Sequence, residues 1–116
     1  MKRFIHAITG LISAIRSEVN MRIHIIASVL VCIAGFYFQI ASVEWLILIL
    51  CIVLVISFEL VNTSIEELCN MVHPEHHPII KKVKDIAAAA VLVAAVGSVI
   101  AALIIFLPKL ISLIYL

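Results

Sequence analysis

Glu59, Asn62 and Glu66 stand at steps of three, four and seven residues, at the end of an almost unbroken run of Leu, Ile and Val from Trp45 to Phe58. On a helix that spacing puts all three on one stripe. A carboxylate facing lipid costs roughly 2.5–3.5 kcal/mol at mid-bilayer on insertion scales, so the stripe must face protein, water or a cation. Three more polar groups could join it: Glu18 within Arg16-Ser17-Glu18-Val19-Asn20, then Glu75 with His76 and His77, then Lys81, Lys82, Lys84 and Asp85. Acids from separate places beside a lysine cluster suit a hard cation carrying a polyphosphate. Mg²⁺ takes one or two carboxylates and completes its shell with waters and phosphate oxygens. Lysine then balances the phosphate charge. Glu59 follows the apolar run directly and lies deeper than Glu66, so it is partly desolvated and suited to accept a proton.

Each group also has a plain structural role to weigh against this. Glu18 is a residue that water at an interface would solvate, and Glu67 reads as an exposed surface charge. Lys81, Lys82 and Lys84 are where positive residues gather beside a membrane whatever the function. His73, His76 and His77 lack the fixed helical spacing of H-E-x-x-H zinc sites. Cys32, Cys51 and Cys69 have no motif spacing and read as small buried apolar residues. Glu59 fits a structural role least well.

The elements that must position these groups follow from composition. At 116 residues, 66% hydrophobic and 13% charged, the chain lies far outside the range of soluble globular domains. Three apolar blocks each approach the ~20 residues needed to cross a ~30 Å hydrocarbon core. The expected fold is an all-α membrane protein of one domain, residues 1–116. It has a surface helix at about 3–19 and spans at about 23–41, 43–66 and 86–107, joined by a short outer turn and a longer inner loop. In the first helix Phe4, Ile8, Leu11, Ile15 and Val19 share a face while Lys2, Arg3, His6 and Arg16 fall elsewhere, the pattern of a helix lying on a bilayer. The second span is expected to continue to about Met71. The prolines at 74 and 78 then break it, and a new helix starts near Ile79.

Seven of the eight basic residues fall on one side if the amino terminus is cytoplasmic, Lys109 being the exception. The acidic stripe then sits at the cytoplasmic interface and the carboxyl terminus outside. In the third span Ala87, Ala90, Ala94, Gly97, Ser98, Ala101 and Ala102 recur every three or four residues. Small residues allow close helix approach in lipid. Three spans offer little protected interior, so association between copies is expected.

The segment Glu59-Leu60-Val61-Asn62-Thr63-Ser64-Ile65-Glu66, then Glu75-x-His77, then Lys84-Asp85 with an alanine run, resembles the small bacterial diacylglycerol kinase and undecaprenol kinase family. Gly10-Leu11 and Glu18-x-Asn20-x-Arg22-Ile23-His24 match upstream, so the resemblance covers essentially the whole chain. It implies a lipid kinase of phospholipid metabolism in the bacterial inner membrane, a homotrimer with active sites shared between subunits, using ATP and Mg²⁺ on a membrane lipid alcohol. No nucleic-acid partner is expected. By motif position, Glu59 would be the general base, Glu18 and Glu66 would hold Mg²⁺ on the ATP phosphates, and Asn62 would position the reacting groups. Glu75 and His77 would line the nucleotide site, Lys84 and Asp85 would contact ATP, and Arg22 would shape the lipid-side pocket. One departure is Cys69-Asn70, where the family often has Val-Asp.

Two other classes compete. An intramembrane ion or proton carrier would use Glu59 and Glu66 as a relay, but the polar stripe finds no continuation through Trp45 to Phe58. A non-catalytic assembly subunit would use only the alanine face and leaves Glu59, Asn62 and the Lys-Asp pair unexplained. No glycine-rich phosphate loop is present.

Overall fold

The computed structural model describes residues 1–73 and 75–115. Four helices follow in order: α1 (Lys2–Ser17), α2 (Val19–Tyr37), α3 (Ser42–Val72) and α4 (Pro78–Ile114). The last three, of 19, 31 and 37 residues, are each long and apolar enough to cross a membrane, which makes this a multi-pass membrane protein. α3 and α4 form the main contact of the bundle, α2 packs on α3, and α1 touches the start of α2 and the lower part of α3. The expected order of a leading helix and three spans is the order found. The apolar residues Phe4, Ile5 and Ile8 of α1 remain exposed in the single chain.

The boundaries differ from the sequence expectation at three places. α1 ends at Ser17, because Glu18 is extended (φ −112°, ψ 117°) and serves at once as the last cap of α1 and the first of α2. Its N–H still donates to the Ala14 carbonyl, 2.9 Å, so the break consumes one residue only. The second difference is the start of α4 at Pro78, whose missing N–H costs nothing at a first helical position. The third is its end. α4 runs through Pro108 to Ile114, well past the expected 107. Proline is tolerated within membrane helices, where neighbouring groups take up the freed carbonyl.

The turn between α2 and α3 shows why those helices meet at a fixed angle. Ile40 donates to the Gly35 carbonyl at 3.2 Å and Gln39 to the Phe36 carbonyl at 3.3 Å. This paired pattern closes the end of α2 and requires a left-handed residue between. Gln39 supplies it, at φ 51°, although glycine adopts that conformation without strain. The turn folds Ile40 into a small core with Leu48 and Ile105, and Trp45 and Phe106 pack around it. Gly35 is the contact that lets Trp45 close down: a Cβ there would meet the indole ring at 2.7 Å. Across the same end, Glu44 accepts from the Ala41 N–H at 2.9 Å and from the Lys109 ammonium at 2.9 Å, tying the start of α3 to α4.

The small-residue face of α4 is used mostly inside the chain. Ala94 is buried, Ser98 and Ala102 are half-buried, and Gly97 stands open.

Two substitutions at the α2–α3 turn should act in opposite directions. Gly35→Ala is expected to destabilise the bundle by about 1–3 kcal/mol through overpacking against Trp45. Gln39→Gly should relieve left-handed strain and stabilise by roughly 1 kcal/mol. Thermal unfolding of both variants in one detergent or bilayer system checks the pair.

Candidate functional site

α3 carries the site because its buried stripe changes character partway along. Leu48 and Val55 face inward, and one to two turns further Glu59 and Asn62 occupy the same stripe and are buried too. Glu59 is only 3% exposed. A carboxylate this enclosed has to be met by partners, and they arrive from two other elements. α2 brings His24, whose Nε2 lies 3.5 Å from Glu59 Oε2. The break between α1 and α2 brings Glu18, and α3 itself brings Glu66; both lie near enough for their charges to act on Glu59. Glu18, more than forty residues ahead of Glu59 and Glu66 in the sequence, therefore shares their neighbourhood.

Asn62 joins the stripe by donating Nδ2–H to Glu66 Oε1 at 3.3 Å. That bond fixes the amide orientation, since an ionised carboxylate only accepts. It leaves Asn62 Oδ1 buried without a donor among the described residues. Thr63 Oγ1, on the side of α3 facing α1, is likewise buried and without a partner among them. Above the site, toward the membrane interior, a cavity of about 170 Å³ opens between α2, α3 and α4. His24 and Ser28 stand on one wall, Leu48 and Val55 on another, Ser98 and Ala102 on the third.

The remaining predicted residues have other partners in this chain. Lys84 of α4 donates to Asn70 Oδ1, which lies on α3 one turn beyond Glu66, about 6 Å along the axis. The lysine is thereby held near the lower end of the acidic stripe. Asp85 pairs with Lys81 at 2.7 Å on an exposed face, a geometry that contributes little to stability. His77 caps α4: its Nδ1 accepts the Ile79 N–H at 3.1 Å, leaving Nε2 to point elsewhere. Glu75 is exposed, and its carbonyl oxygen lies 2.9 Å from His73 Nδ1. Arg22, expected at the lipid-side pocket, donates Nη1–H to the Arg16 carbonyl at 3.2 Å and so closes the end of α1. Within one chain, Glu75, His77 and Asp85 make no direct contact with the Glu59 group among the described residues. The pairing of His24 with Glu59 carried no role in the sequence reading. Its signal was present all the same: one imidazole on an otherwise apolar length of α2. Asn70 was noted as a departure, and the structure makes it the acceptor that holds Lys84.

Among the described residues no three His, Cys, Asp or Glu side chains close into a protein-only metal cage. That does not count against a cation held by few protein ligands. Glu18 and Glu66 are carboxylates beside a third, among the described residues His24 alone faces Glu59 with any cationic capacity, and Asn62 Oδ1 has no donor among them. This oxygen-rich, negative donor set fits a hard cation that keeps several waters and phosphate oxygens.

With the geometry fixed, comparison with known proteins adds the following. The prokaryotic diacylglycerol kinase profile matches residues 5–106. The chain is 44% identical over 109 residues to an undecaprenol kinase of Bacillus subtilis, covering 94% of this chain and 89% of that protein. It is 35% identical over 111 residues to a diacylglycerol kinase of Synechocystis sp., covering 95% of this chain and 63% of that protein. A diacylglycerol kinase of Helicobacter pylori is 34% identical over 92 residues, 79% of this chain and 72% of that protein.

The capping role of His77 can be separated from any contact with a ligand. His77→Ala should weaken the start of α4 by about 0.5–2 kcal/mol, the usual scale for a lost N-cap. Faster hydrogen exchange at the Ile79 amide in the ligand-free protein is the expected sign; unchanged protection would show that the cap carries no weight.

Proposed function

The chain belongs to the prokaryotic diacylglycerol kinase family, a phosphotransferase family acting on alcohols, and from that premise we propose that it moves the γ-phosphoryl group of ATP onto a membrane lipid alcohol at the cytoplasmic face. The observation that carries this reading is the meeting of Glu18 and Glu66 with buried Glu59 at the foot of an apolar cavity. Phosphoryl transfer asks a protein mainly for positioning and charge neutralisation. ATP stays in water and the lipid alcohol in the bilayer, so their reacting atoms meet only at the boundary.

α3 spans that boundary. Glu59 and Glu66 lie about 10 Å apart along the helix, at 1.5 Å per residue. Glu59 takes the proton of the lipid hydroxyl as the oxygen attacks phosphorus. Glu66 and Glu18 would hold Mg²⁺, and the bound ion would supply neutralisation of the nucleotide's phosphate charge. Asn62, tied to Glu66 by its amide nitrogen, presents Oδ1 to a hydroxyl or water donor between the two levels. Lys84, kept one turn below Glu66 by Asn70, faces the phosphates. Asp85, Glu75 and His77 complete the nucleotide side in a homotrimer, where a neighbouring copy brings them to the acids that one chain leaves apart. The exposed apolar face of α1 lies on the inner leaflet of the bacterial inner membrane, with the amino terminus cytoplasmic and the carboxyl terminus outside. The cavity between α2, α3 and α4 accepts the first length of the lipid's hydrocarbon chain. Arg22, two residues before His24 in the chain, helps shape the lipid-side pocket.

Undecaprenol is the favoured acceptor. The Asn20-x-Arg22-Ile23-His24 form and the 44% identity to an undecaprenol kinase support it. Diacylglycerol is the second reading, supported by relatives of that name at 34% and 35% identity.

Purified protein in lipid should transfer labelled phosphate from ATP only when Mg²⁺ is present, and side-by-side rates on the two alcohols decide the acceptor. Glu59→Gln is expected to lower kcat by roughly 10²–10⁴-fold, the usual contribution of a general base, with ATP binding nearly intact. A wild-type rate in that variant removes the assigned base. Glu66→Ala should instead shift the Mg²⁺ titration to higher concentration. An unchanged midpoint would take Glu66 out of the metal site.

A further inference from the structure

A general base works only if its carboxylate is held toward the proton it accepts. At this site most neighbours cannot do that. Glu18 and Glu66 carry the same charge as Glu59 and repel it. Asn62 turns its amide nitrogen to Glu66, and Arg22 turns its guanidinium to the Arg16 carbonyl. α4 presents small and apolar side chains to the cavity, Ser98 among them, and the Ser98 hydroxyl donates to its own helix at Ala94 O.

One side chain meets the carboxylate. His24 places Nε2 3.5 Å from Glu59 Oε2, across the α2–α3 contact. Its aim follows from the register of α2. Met21, three residues earlier on the same face, is fully buried and fixes the rotation of the helix. Ser28, four residues later, donates to the His24 carbonyl at 2.7 Å and lines the same cavity. The imidazole is thus carried by a rigid, spanning segment rather than a loop. The separation exceeds an ordinary hydrogen bond of about 2.7–3.2 Å, and such contacts in unliganded sites commonly tighten when substrate arrives.

We propose that His24 is a positioning residue for the transfer: its Nε2–H holds Glu59 Oε2, so that Oε1 is the atom left facing the lipid hydroxyl at the mouth of the cavity. The inference rests on the reading of Glu59 as base and adds the device that orients it. In the step itself the hydroxyl proton passes to Glu59 Oε1, and the bond from the alcohol oxygen to the γ-phosphorus forms. The bond from that phosphorus to the bridging oxygen of ADP breaks, and ADP leaves with its electron pair. His24 ends the step as it began.

The test compares His24→Ala and His24→Gln with wild type in proteoliposomes. Loss of orientation should lower kcat of His24→Ala by roughly 10- to 100-fold, the scale of a misplaced reacting group. The ATP KM should stay within about twofold, because the nucleotide is held at the Glu66 level. Glutamine can place an N–H near the position of Nε2, so His24→Gln should recover most of the loss. A packing role would be restored by neither amide nor alanine and would lower thermal stability in parallel. Undiminished kcat in His24→Ala, or equal loss in both variants, overturns the proposal. A direct reading needs no variant: with a nonhydrolysable ATP analogue bound, the nitrogen resonances of His24 should show a protonated Nε2, and a bare Nε2 refutes the contact. The two readings fail separately. Full activity in Glu59→Gln removes the base, whereas an inactive Glu59→Gln beside an unimpaired His24→Ala removes only the role of His24.

Discussion

One acid group buried at the foot of an apolar bundle sets the terms for everything around it. Glu59 is 3% exposed on a helix whose preceding turns are Leu, Ile and Val. Its burial costs free energy that packing alone cannot return. The fold answers by bringing polar atoms from three places to the same end of the bundle: an imidazole from α2, an acid from the α1–α2 break, and an amide and an acid from the next turns of α3. The answer is incomplete within the chain. The nearby acids add like charge, and Asn62 Oδ1 waits for a donor among the described residues. A site left negative and under-satisfied is unstable as pure architecture and sensible as a receptacle.

The two ends of the bundle divide the work. At one end, the α2–α3 turn, Trp45 over Gly35, and the Glu44–Lys109 pair fix α2, α3 and α4 relative to one another. At the opposite end, the helical run breaks at Glu18, α3 ends at Val72 and α4 starts at Pro78. Rigid apolar packing at one end is what allows charged groups at the other to hold an arrangement they would not choose alone. The cavity lies between, with His24 and Leu48 among its lining residues. A lipid chain can enter such a space without displacing the packing that defines the site.

Much of this was legible in the sequence because lipid enforces simple rules. Three long apolar blocks could only be spanning helices, and a stripe of Glu59, Asn62 and Glu66 could only face inward. What the sequence hid is local and each case has a reason. The break at Glu18 needs no glycine or proline, since an extended non-glycine residue costs nothing, so no breaker marks it. Gln39 carries a left-handed turn where glycine would have announced one. The third apolar block is bounded at about 107, while α4 continues through Pro108 to Ile114. Arg22 and His77 read as ligands for substrate, yet each has a backbone partner that a linear pattern does not reveal. The His24–Glu59 contact joins residues thirty-five apart on different helices, and only the register set by Met21 brings them together.

The carrier reading gains nothing from the fold, and the reason is physical. A relay across the membrane needs titratable or water-binding groups at successive depths. Outward from Glu59, α3 buries Val55 and Leu48 on the same stripe, and the next acid, Glu44, lies at the far end bound to Lys109. Between them the cavity is walled by apolar side chains, by His24, which faces Glu59 itself, and by two serines, both of whose hydroxyls donate to carbonyls of their own helices. Beyond His24 a proton reaching Glu59 meets no further titratable side chain on the cavity wall before the apolar stretch of Val55 and Leu48. It can be taken from a group that comes to Glu59 and returned to the same water. Such traffic suits a base, with the acids gathered at one end of the span instead of strung along it.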